Sequence, residues 1–152
     1  MKNITPRFSV GCACLILGTA FSLSLNSCYG NFVRSNEVRD VIDNYHAALV
    51  SDDVTTLNVI LKDHVRVISE SEDSLLSKNE VLRRFHSLDG ELKSVDTSDV
   101  NVEIDGNAAT LKCFTKMVLQ SSNANQITHE GFYSYGLEII DERWKISSIR
   151  RR

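Results

Sequence analysis

The side chains able to do acid–base or ligand chemistry are thinly spread. The four histidines, His46, His64, His86 and His129, fall in four separate segments, so none has a partner at the spacing of a metal-binding pair. A histidine and an aspartate could together serve as acid and base in a dehydration. The candidates, His129 with Asp99 or Asp63, have no spacing that joins them. Gly-x-Ser-x-Gly, glycine-rich phosphate loops and Cys-x-x-Cys pairs are absent, and Asp52-Asp53 reads as a helix cap rather than an ion site. No metal and no cofactor is expected. What remains is a set of tyrosines, above all Tyr45, Tyr133 and Tyr135, whose hydroxyls can donate to a ligand oxygen or simply bond one another in a core.

One cysteine carries a different chemistry. Lys2 and Arg7 are the only charges before Arg34, and residues 10–25 are an apolar and small-residue run too short for a comfortable transmembrane helix. The run closes in Leu25-Asn26-Ser27-Cys28, which resembles the lipobox of bacterial lipoproteins, with Asn26 departing from the usual small or apolar middle residue. That resemblance implies a signal peptide over 1–27, a diacylglycerol on the Cys28 thiol, and a tether over 28–36. An ordinary signal peptide cut near Ala20 is the alternative. Cys12 and Cys14 lie inside the signal and Cys113 is left alone, so the domain must be stable without a disulfide.

Removing the signal takes away two of 17 basic residues and none of the 20 acidic ones, so the net charge moves from −3 to −5. That balance argues against nucleic acid as a partner. Arg150-Arg151-Arg152 is the basic exception and reads as a solvated tail, with some attraction to anionic lipid.

The elements that must position the tyrosines follow from periodicity. Val38, Val41, Ile42, Tyr45, Ala48 and Leu49 share one helix face; Ser35 and Asn36 offer caps before it. Ser51-Asp52-Asp53 breaks that helix and caps a second over 54–61. A half-buried strand is expected over 64–69, a polar turn over 70–74, and a third helix after the capping box Ser77-Lys78-Asn79-Glu80, with Val81, Leu82, Phe85 and Leu88 inward and Asp89-Gly90 as its stop. From Glu91 the period falls to 2, and Asp105-Gly106, a polar loop over 121–126 and Asp141-Glu142-Arg143 separate four strands. The strand over 127–140 is long enough to need bends, which Gly131 and Gly136 supply. A chain 42% hydrophobic and 24% charged, with one proline, fits a single α+β domain over 37–152.

This pattern resembles the nuclear transport factor 2-like superfamily, which includes ketosteroid isomerases and SnoaL-like polyketide cyclases. The residues carrying the resemblance are 45–53 at the end of helix one, 75–81 before helix three, Asp105-Gly106-Asn107-Ala108-Ala109, and Arg143-Trp144-Lys145-Ile146. It implies a cone-shaped, curved, mostly antiparallel sheet closed by three helices around a cavity. Tyr45, Leu49, Val67, Ser69, Phe85, Tyr133 and Tyr135 are the residues it places at that cavity. Tyr45 falls on the superfamily's catalytic tyrosine, but an ungapped count puts Ser69 where an isomerase needs its carboxylate base. Serine cannot take a carbon-bound proton at neutral pH, and alternation turns Glu70 to the other face.

The expectation is therefore an exported, lipid-anchored domain facing the periplasm. It binds a small apolar ligand or a protein, has no confident catalytic set, and can pair as a homodimer through Phe132 and Ile140 on the convex sheet face. The rival is an isomerase, cyclase or dehydratase with Tyr45 as donor to an oxyanion. His46, about 100° around the helix from Tyr45, is expected to be partly exposed.

Overall fold

The structure, a computed structural model, describes residues 15–87, 90–121 and 125–152, with side chains among them from Val33 onward. The signal segment before Leu15, the proposed helix end at Leu88-Asp89, and residues 122–124 of the expected loop lie outside the described residues. The chain divides into two units, Met1–Val33 and Arg34–Arg152. The rest of this section concerns the second.

Helix α1 is assigned over Leu15–Ser51, so residues 29–36, expected as a tether with caps at Ser35 and Asn36, are helical. The segment has no proline, and the single Gly30 weakens a helix by about 1 kcal/mol without stopping it. The predicted face is buried: Val38 is 0% and Ile42 2% exposed, and Tyr45, Ala48 and Leu49 are buried with them. Each such side chain contributes about 1.5–3 kcal/mol. Asp52 then takes a positive φ of 56°. Asp53 caps α2 (Val54–Ile60) by accepting from the Thr56 amide at 3.1 Å.

Strand β1 (Leu61–Ile68) follows without a gap. The stretch expected as a polar turn is in part strand β2 (Asp73–Ser77), antiparallel to β1. It is an edge strand with Asp73 and Leu75 exposed and Leu76 buried, and Arg66 clasps Asp73 across the pair through both carboxylate oxygens at 2.7 and 2.8 Å. Helix α3 (Lys78–His86) opens with the expected capping box, Ser77 and Glu80 each accepting from the other's backbone amide.

Four long strands complete the sheet: β3 (Glu91–Asp105), β4 (Ala108–Gln120), β5 (Gln126–Ile140) and β6 (Arg143–Arg151). Their order with the first two is β2-β1-β6-β5-β4-β3, antiparallel throughout except where β1 runs parallel to β6, so the sheet is mixed and open. The β3–β4 turn is Gly106-Asn107, since Asp105 pairs with Ala108, one residue later than the expected Asp105-Gly106. The β5–β6 turn, Asp141-Glu142, has positive φ at both positions (51° and 63°), as a tight hairpin with the native strand twist demands.

The bends fall where the ladders slip. β3 shifts register between Leu92 and Ser94 and again between Ser98 and Asn101, with Asp99 at φ 53°. β5 and β6 slip at Gly136, where Ser147 is the extra residue. The other proposed bend, at Gly131, pairs regularly with Thr115. The β6 bulge has a consequence for side-chain direction. Trp144 and Ile146 face the core on one side of it, and Ile149 and Arg151, of opposite parity, face the same way on the other. The expected solvated tail at Arg150-Arg151-Arg152 is therefore mostly strand: Arg151 lies opposite Tyr133 and Arg150 opposite Ser134.

Candidate functional site: an apolar cavity with phenol, imidazole and guanidinium groups

The concave face of the sheet is a row of odd-numbered residues. On β4 these are Leu111, Cys113, Thr115, Met117 and Leu119, paired respectively with Tyr135, Tyr133, Gly131, His129 and Ile127 on β5. Helix α1 covers Leu111 and Cys113, which are each 2% exposed. Toward the Leu119 end the helix no longer fills the space, and a cavity of about 290 Å³ remains. That is near the lower end of the range for small-molecule sites, about 300–1,000 Å³.

Of the seven residues named from the sequence, five line this cavity: Tyr45 and Leu49 from α1, Phe85 from α3, and Tyr133 and Tyr135 from β5. Val67 and Ser69 do not. Val67 packs half-buried against the core, and Ser69, beyond the end of β1, borders a separate hollow with Glu70, Ser71, Arg151 and Arg152. The resemblance placed both on the cavity wall, and the ungapped count singled out Ser69, but neither is among the residues that line it. Sequence reasoning missed Leu92, Met117, Leu119 and Ile149 as apolar wall, and His46, His129 and Arg151 as polar groups on it.

His46 is the clearest correction. It is 6% exposed, and its Nε2 shares a hydrogen bond of 2.9 Å with the Tyr135 hydroxyl. The signal was present: His46 stands four residues after Ile42 and three before Leu49, both on the buried face. Its ring centroid is 5.6 Å from those of Tyr45 and Tyr135, and the two tyrosine rings meet edge to face at 6.0 Å. Tyr133 stacks on Tyr135 at 6.2 Å.

Burial sets the protonation of this cluster. It lowers the His46 imidazole from 6.5 to about 4, so the ring is neutral at pH 7. Burial likewise pushes the phenols of Tyr45 and Tyr135 well above their ordinary 10, with each other or Tyr133 adding to the effect, so they remain hydrogen-bond donors. Tyr133 is raised by burial too, against an opposing pull from the Arg151 charge. No acidic side chain lines the cavity. The site can thus solvate an oxygen through a phenol donor, and it holds a neutral imidazole bonded to Tyr135, but it holds no carboxylate base. Among the described residues no group of three or more His, Cys, Asp or Glu could hold a metal ion.

The remaining histidines lie elsewhere or at the rim. His64 is exposed on β1, and His86 sits 3.4 Å from Asp52 on the surface. His129 is exposed where it borders the cavity.

A fold of this topology with this cavity is that of the nuclear transport factor 2-like superfamily. Residues 38–150 match the model of the SnoaL-like domain, and the chain belongs to that family. Among solved structures, it is similar to a protein of unknown function from Mycobacterium tuberculosis (15% identity, 82% of this chain and 74% of that one covered, TM-score 0.70). It is similar also to a candidate scytalone dehydratase from Novosphingobium aromaticivorans (12%, 80% and 85%, TM-score 0.69). A third is a candidate ketosteroid isomerase from Shewanella frigidimarina (19%, 74% and 92%, TM-score 0.60). At these identities the likeness is one of fold. Comparison with curated protein sequences gives no match.

Proposed function

We propose that this SnoaL-like domain is a binding protein for a small apolar molecule, exported and held at a membrane surface by lipid on Cys28. The observation that carries the binding half is the cavity itself, with aliphatic and aromatic walls, phenol donors at its inner end and no acid–base carboxylate. The anchor half rests on the lipobox-like Leu25-Asn26-Ser27-Cys28. Among the described residues no helix is long and apolar enough to cross a membrane, so the anchor, if membrane attachment is found, is asked of the lipid.

The test of binding uses N-phenyl-1-naphthylamine, a neutral fluorescent probe. The full-length chain should enhance its emission saturably, and Leu119→Trp or Met117→Trp, which place an indole in the cavity, should abolish that enhancement while circular dichroism shows an intact fold. No saturable enhancement, or one that survives both folded variants, overturns the reading.

A second reading is favoured by one observation, the buried neutral His46 bonded to Tyr135 beside Tyr45. In an isomerase, cyclase or dehydratase, Tyr45 would donate to the oxyanion, with the His46–Tyr135 pair fixing the wall beside it. Tyr45→Phe would then lower the rate on a small apolar substrate by about 10²-fold or more with the fold unchanged. Equal rates for the two proteins exclude Tyr45 from the chemistry.

Phe132 gives the convex face apolar area, being 59% exposed with its ring edge-on to Phe114 at 5.3 Å. We infer that this face is where two copies meet.

A further inference from the structure

The cavity is not symmetrical in its polarity. Three buried rings, Tyr45, His46 and Tyr135, stand together on one wall, His46 and Tyr135 sharing a hydrogen bond, and the cavity's body is hydrocarbon from Phe85, Leu92, Met117 and Leu119. One cation stands on the same wall. Arg151 lies opposite Tyr133 on β6 and faces inward only because the Ser147 bulge reverses the strand's parity before it. Its charge is felt at the Tyr133 phenol.

Among the described residues several surface cations are taken up in ion pairs, whereas Arg151, like its neighbours Arg150 and Arg152, is not; what sets Arg151 apart from those two is that it lines the cavity. Arg66 clasps Asp73, Arg84 clasps Glu72, Lys62 meets Glu138 and Lys112 meets Glu103, each within 3.0 Å. Among the described residues Arg151 has no ion pair within 4.0 Å. Glu70 lines a neighbouring hollow that Arg151 also borders but makes no ion pair with it, and none of the cavity's own lining residues is acidic. A guanidinium with its fork free, on the wall of a largely hydrocarbon cavity, matches one kind of molecule: a planar monoanion on an apolar body.

We propose that the ligand is a small apolar carboxylic acid, its body between Phe85, Leu92, Met117 and Leu119 and its carboxylate on Arg151. This rests on the ligand-binding reading and specifies the chemical class. A carboxylate suits the site better than a phosphate monoester, because a single arginine offers one bidentate partner and the chain's net charge is negative, which disfavours a dianion without more donors.

Calorimetric titration of the full-length chain with 2-naphthoate and with 2-naphthamide, its neutral isostere, tests the assignment. The acid should bind about tenfold tighter or more, the range for a charge-assisted bidentate contact. Arg151→Gln should bring the acid to the level of the amide and leave the amide unchanged, and Arg150→Gln, at the neighbouring position of opposite parity, should change neither. Arg151→Lys, which keeps the charge but not the fork, should fall between.

Equal affinity for acid and amide in the unaltered chain, or a preference for the acid that survives Arg151→Gln, overturns the proposal. If both probes bind equally and Leu119→Trp removes both, the cavity is a neutral ligand's site and the ligand-binding reading stands alone. If neither probe nor N-phenyl-1-naphthylamine binds, both readings fall together.

Discussion

At the scale of single residues, the state of His46 governs how the domain responds to acid. Its folded value of about 4 lies below the ordinary 6.5, so the unfolded chain binds a proton that the folded one refuses between those limits. Stability from this group is complete above pH 6.5 and is lost as pH falls toward 4, by up to about 3 kcal/mol. The surface carboxylates held low by Arg66, Arg84, Lys78 and Lys112 act in a more acidic window, as pH falls below their ordinary values near 4. Urea titrations at pH 7.0, 6.0 and 5.0 should therefore show a decline in unfolding free energy that His46→Gln flattens. A slope unchanged by that substitution would place the proton uptake elsewhere. The adjacency of His46 to Tyr45 in the sequence suggested a side position, and what buried it was the depth to which α1 sinks into the curved sheet.

At the scale of elements, capping and punctuation were readable because they are local. The Ser77–Glu80 box and the Asp53 cap depend on residues within one turn of each other, and both form as their spacing requires. The corner leading into β3 is a sharper case. Gly90 has φ +136°, and a Cβ there would stand 2.7 Å from the Gln120 carbonyl oxygen, an atom of the β4 backbone that cannot turn aside. Gly90→Ala should cost about 2 kcal/mol or more through strain and displacement of the β3–β4 end, measurable as a lower denaturation midpoint with an unchanged slope. A midpoint equal to that of the unaltered chain would show that the corner adjusts freely. Bulges were not readable in the same way. Nothing in Lys145-Ile146-Ser147-Ser148-Ile149 distinguishes an extra residue from regular alternation, since the slip is fixed by the strands on either side.

At the scale of the whole molecule, the α1 stripe, the three long hairpins and the edge pair of β1 and β2 make an open cone whose wide end is left unfilled. On the function proposed above, ligand recognition belongs to this domain and attachment to Cys28. If Cys28 carries the lipid, cells given labelled palmitate should incorporate it into this chain and retain the chain in the membrane fraction. Cys28→Ser should abolish the label and release the domain. Membrane retention unchanged in the variant, with no label in either, would overturn the lipid anchor on Cys28.

The sequence by itself determined the class of fold and most of the cavity's aromatic side. Helical and strand periods, caps and hairpin residues are short-range properties, and Tyr45, Leu49, Phe85, Tyr133 and Tyr135 sit at regular positions within their own elements. Tertiary structure decided the rest. The hydrogen bond of His46 to Tyr135, 89 residues away, was set by where β5 lies against α1, Val67 and Ser69 are not among the residues lining the cavity, and Arg151 turned from tail to cavity wall through a one-residue bulge. Each depends on how distant strands are paired, and pairing between distant segments leaves no period in the chain to read.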